Sequence, residues 1–64
     1  MATEIARRSF GMTDKGQVVI IHKTGFSDDG ETVTHMFEVR HGVRTIGDFD
    51  SWPKAEALAR AVAG

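Results

Sequence analysis

Three histidines are the side chains best suited to chemistry in this 64-residue chain: His22, His35 and His41. Imidazole ligates zinc, nickel or copper, and two or three of them on one sheet face can share an ion. Their spacing matches no familiar metal motif, and whether they meet depends on strand register. The alternative is three histidines on a hairpin surface or rim. Asp28, Asp29 and Glu31 resemble a fragment of a calcium loop. Such a loop needs oxygen ligands at several fixed positions, and no such series follows Gly30, so a solvated turn is expected. Ser9, Ser27 and Ser51 have no triad around them, and Ser51 is better placed to cap a helix. With no cysteine, disulfides and thiolate metal sites are excluded. The chemistry-bearing residues therefore indicate no enzyme and no bound cofactor.

Two surfaces are candidates for binding. Arg7, Arg8, Lys23, Arg40 and Arg44 could line a sheet and contact phosphates. Glu38 lies among them, and the chain carries eight Lys/Arg against nine Asp/Glu, a formal net charge of −1. A dedicated nucleic-acid binder is usually clearly basic, so nucleic acid is the secondary expectation. Val19, Ile21, Met36 and Val43 form the other set, an apolar patch on the sheet face away from the helix. Such a patch commonly marks a protein partner or a homodimer. The competing reading is that the N-terminal segment folds back over it.

These residues are positioned by a few short elements. Gln17–Lys23 contains four β-branched residues in a row, which fits a strand with both faces at least partly covered. Asp29-Gly30 suits a two-residue hairpin with positive φ at both positions, and Thr32–Arg40 is the returning strand. His41-Gly42 is a second two-residue turn, leading into Val43–Ile46. In that register Phe37 faces Ile46, Ile20 faces Val39 and Phe26 faces Val33. Val18, Ile20, Phe26, Phe37, Val39 and Ile46 then form the core face. His22, His35 and His41 share that face, with His22 and His35 as diagonal neighbours. A three-residue first turn would instead send Val19 and Ile21 inward and separate the histidines.

The helix is the clearest element. Asp50 and Ser51 are good N-caps, and Pro53 suits a first turn. Ala55, Leu58, Ala59 and Val62 recur at i, i+3, i+4, i+7, the pattern of one buried face. Residues 1–16 are expected to be flexible or partly ordered, with Met12-Thr13-Asp14-Lys15 as a loop between glycines. Residues 17–64 are expected to be one α+β domain, a three-stranded antiparallel meander packed on a C-terminal helix. A domain this small buries only about 60% of its unfolded surface, so its stability is expected to be marginal. No run reaches the ~20 apolar residues of a membrane span, and Met1–Gly11 has no apolar signal-peptide centre. A cytoplasmic protein from a bacterial or phage-like setting is the expectation.

Phe49, Ser51, Ala55, Ala57 and Ala59, following two strands and a short third, carry a resemblance over about residues 17 to 63. The segment resembles small bacterial domains of unknown function with a Val-Val-x-x-His first strand, here Val18-Val19-Ile20-Ile21-His22. More distantly it resembles the arm-site DNA-binding domain of phage integrases, whose three-stranded sheet enters the major groove. The first resemblance implies a fold and no function. The second implies DNA contact through strand cations, where this chain offers only Lys23, Arg40 and Arg44 with Glu38 between them.

Overall fold

A computed structural model describes residues 3–64. Four strands, β1 (Thr3–Thr13), β2 (Gly16–Phe26), β3 (Val33–His41) and β4 (Arg44–Phe49), precede helix α1 (Trp52–Ala63). The strands form one antiparallel sheet in the order β1-β2-β3-β4, and the helix packs on one face. The α+β class and the C-terminal helix match the expectation, but there are four strands rather than three. The added strand is β1, which pairs with β2 along its length from Thr3–Thr24 to Thr13–Gly16. It lacks apolar alternation because it is an edge strand that buries almost nothing: nine of its eleven residues are exposed, Phe10 and Thr13 are half-buried, and of the strand Phe10 alone packs against the core cluster. Register shifts at Ile5 and Phe10 break its period further.

The β2–β3 register is the expected one, with Ile20 opposite Val39 and Phe26 opposite Val33. The connection is looser than a two-residue hairpin. Gly30 has φ 73° while Asp29 stays at negative φ, and Ser27 N–H donates to Thr32 O at 2.8 Å. The second hairpin differs more. Its turn is Gly42-Val43, so His41 faces Arg44, Val39 faces Gly47 and Phe37 faces Phe49. A bulge at Ile46 adds one more residue to the offset and leaves that side chain exposed instead of in the core.

Val18, Ile20 and Val39 are fully buried beneath Ala55 and Ala59, ringed by Phe10, Phe37, Phe49, Trp52, Leu58 and Val62. Small alanines let the helix sit close to the sheet. Gly47 does the same from below, since a Cβ there would lie 2.9 Å from Leu58 Cδ2. The helix begins as expected at Ser51, but the Ser51 side chain makes no cap hydrogen bond. Asp50 instead pairs with Lys54 at 3.2 Å.

Phe26 was expected in the core and is 68% exposed. Element length gives the reason. Twelve helical residues span about 18 Å, whereas the eleven residues of β2 span about 36 Å. The helix therefore covers roughly half the sheet, and the β2–β3 end projects beyond it. The radius of gyration, 12.4 Å, exceeds the ~10.7 Å of a compact 64-residue domain.

Candidate functional site

The sheet face away from the helix carries charge where an apolar patch was expected. Val19 and Ile21 are buried, at 7% and 1% exposure, while Met36 is partly exposed and Val43 stands fully in solvent at the turn. Pairing explains the burial. Val19 lies between Ser9 and Arg40, and Ile21 between Arg7 and Glu38. Long charged side chains lay their aliphatic stems over such neighbours while their heads stay wet. Four residues named for an apolar interface thus split into two covered and two exposed.

Glu38 is the centre of that face. It is buried, and Arg40 Nε donates to its Oε2 at 2.6 Å. Thr45 Oγ1 donates to the same oxygen, and Lys23 Nζ forms an ion pair with Oε1. Lys23 is thus the partner of Oε1, as Arg40 and Thr45 are of Oε2. The Arg40 hydrogen bond, opposed by burial and assisted by Lys23 and Thr45, holds the Glu38 carboxyl at about 2. Among the described residues only side chains cover this cluster, since the helix lies on the other face.

The five cations expected to converge do not. Arg7, Lys23 and Arg40 lie on the Glu38 face, with Arg7 paired to Glu4 at 2.8 Å. Arg8 lies on the helix side, its guanidinium 5.1 Å from the Phe10 ring and 5.7 Å from Trp52. Arg44 sits beside the Gly42-Val43 turn with Lys15 and His41, lining an open depression with Val43 and Ile46.

The histidines are arranged as the register implied, in part. His22 Nε2 lies 3.0 Å from His35 Nδ1, and the His22 ring stacks on Phe37 with centroids 4.4 Å apart. His41 is at the opposite end of the sheet, hydrogen-bonded to Thr13 Oγ1. Among the described residues no three histidine, cysteine or acidic side chains gather as a metal site.

The feature that emerges is a shelf on the helix side, just past the helix N-terminus. Its inner wall is a groove of about 220 Å³ lined by Ala6, Arg7, Arg8, Ile20, His22 and Trp52. Phe37 closes the wall, edge-on to Trp52 at 6.0 Å. Outward lie the His22–His35 pair and then the cross-strand pair Phe26–Val33, exposed at 68% and 49%. The shelf offers ring faces, apolar surface and the Arg8 guanidinium that lies over Phe10 and Trp52. Sequence reading placed Phe26 in the core, opposite Val33. The signal that would have placed them outside is the mismatch between helix and strand length. Among the described residues no helix is long and apolar enough to cross a membrane. Comparison with protein-family models, curated proteins and solved structures finds no match, so the reading of this site rests on its geometry.

Proposed function

We propose that this protein is a small non-enzymatic binding module that docks through the shelf at its β2–β3 end, with a second copy of the chain as the first occupant. The observation that carries the reading is the exposed Phe26–Val33 pair on a sheet end the helix does not reach. The face first expected to bind buries its central apolar residues, Val19 and Ile21, under charged neighbours. The shelf leaves its apolar residues bare, and burying such surface contributes roughly 25 cal/mol per Å². A second copy fits because two-fold pairing covers the same patch on both partners. With a net charge of −1, two copies approach with little Coulombic penalty.

Nucleic-acid binding would draw on Arg7, Arg8, Lys23, Arg40 and Arg44. They divide between two faces, and Glu38 already engages Lys23 and Arg40. Fewer cations are left to neutralise phosphates.

Sedimentation equilibrium from micromolar to millimolar protein tests the reading. The expected result is a mass rising toward twice the 7.0 kDa chain, little changed by added salt, and abolished in Phe26→Glu. A monomer throughout, with Phe26 and Val33 NMR signals unmoved by dilution, would overturn it. Duplex DNA that shifts Lys23, Arg40 and Arg44 at low salt would support the nucleic-acid reading instead.

A further inference from the structure

We infer that His22 and His35 form a two-imidazole site for a divalent transition-metal ion, with copper(II) preferred. The two nitrogens are 3.0 Å apart on adjacent strands. Imidazole nitrogen binds such ions at about 2.0–2.1 Å. At that bond length a 3.0 Å separation subtends about 94° at the ion, the cis angle of square-planar and tetragonal centres favoured by copper(II) and nickel(II). A tetrahedral zinc ion, near 109°, would need the nitrogens about 3.3–3.4 Å apart at the same bond length. The spacing is close to what a tetragonal ion needs, and the usual affinity order among divalent ions places copper first.

The surroundings suit the role. The His22 ring stacks on Phe37, which keeps its plane in place while its nitrogen turns from His35 toward the ion. His35 is exposed and leaves the ion open to water on its outer side. In the free protein one of the two nitrogens donates a hydrogen bond to the other. Binding moves that proton to the donor ring's second nitrogen, frees both lone pairs for the ion and releases no net proton from neutral rings. The remaining positions are taken by water, since among the described residues no third histidine, cysteine or acidic ligand joins the pair. The site lies on the proposed docking shelf but does not require a second copy to form.

Titration with copper(II) in a non-coordinating buffer tests it, read by quenching of Trp52, the single tryptophan, which lines the same groove as His22. Electron paramagnetic resonance gives a second reading. The expected result is one ion per chain, with hyperfine splitting from two nitrogens and broadening of His22 and His35 resonances. Losing even an outer-shell partner costs about 10–100-fold in metal affinity, so His22→Gln and His35→Gln should each weaken binding at least about tenfold, while His41→Gln leaves it unchanged. Copper binding unaffected by His35→Gln, an exposed position whose variant keeps the fold, would overturn the proposal, as would no binding at all. Mass measured with and without copper separates this site from dimerisation: a copper-loaded monomer supports the site while failing the docking reading.

Discussion

Arg40 donates to Glu38 from two residues along the same strand, and both side chains sit on the face the helix leaves open. Side chains two apart on a strand point the same way, so this ion pair is built into β3. Lys23 and Thr45 reach the same carboxylate from the strands on either side. One glutamate thus ties together the three strands β2, β3 and β4 on the side where no helix holds them.

Acid should loosen this tie. The Glu38 carboxyl is lowered from its ordinary 4.5 to about 2, so the unfolded chain binds a proton in that range and the folded chain does not. The stabilisation is present above about pH 5 and is lost as pH falls toward 2. Urea midpoints measured from pH 7 to pH 2 should fall across that window. Glu38→Gln should lower stability at pH 7 by about 1–3 kcal/mol and flatten the acid limb. An acid limb as steep in Glu38→Gln as in the parent would assign the effect to other carboxylates.

Gly16 and Gly42 bring two turns into backbone contact at the other end of the sheet. Gly16 has φ 119°, and a Cβ there would lie 2.6 Å from Gly42 Cα. Gly16→Ala should therefore cost about 2–4 kcal/mol, from strain and displaced backbone together. Gly30→Ala meets nothing within 4 Å and bears only its positive φ, so it should cost about 1–2 kcal/mol. Thermal midpoints of the two variants check the ranking.

Much of this arrangement was legible in the residues. The Ala55, Leu58, Ala59, Val62 stripe gave the helix face, and pairing Phe26 with Val33 gave the β2–β3 register that sets His22 beside His35. Three things were not legible, for physical reasons. An edge strand such as β1 needs no apolar period, because backbone hydrogen bonds to β2 hold it and Phe10 alone reaches the core. The cover over Val19 and Ile21 comes from Arg7, Arg40 and Glu38, whose types advertise charge rather than the stems that do the covering. The Ile46 bulge was equally silent, since turn chemistry at His41-Gly42-Val43 accommodates more than one register.

Arg8 provides a third test, of the groove wall. Its guanidinium lies over both Phe10 and Trp52, and Arg60 reaches Phe10 from the helix at 5.6 Å. An exposed cation over an aromatic ring is worth about 0.5–1 kcal/mol. Arg8→Ala should cost about that much and shift Trp52 emission, whereas Arg7→Ala, on the other face, should leave emission unchanged. Equal emission shifts in the two variants would contradict the facial division of the pair.

The boundary of the core gives the sharpest comparison, because it separates the observed fold from the one expected of a helix spanning the whole sheet. Val39 is fully buried and Phe26 is 68% exposed, although both alternate onto the same face. Val39→Ala removes methyl groups from a packed site and should cost about 2–3 kcal/mol. Phe26→Ala removes a far larger side chain, yet in dilute monomer it should cost less than about 0.5 kcal/mol, as at an exposed site. Urea denaturation at micromolar protein measures both. A loss of several kcal/mol in Phe26→Ala under those conditions would mean that the β2–β3 end is folded into the core, and the docking shelf would lose its exposed surface.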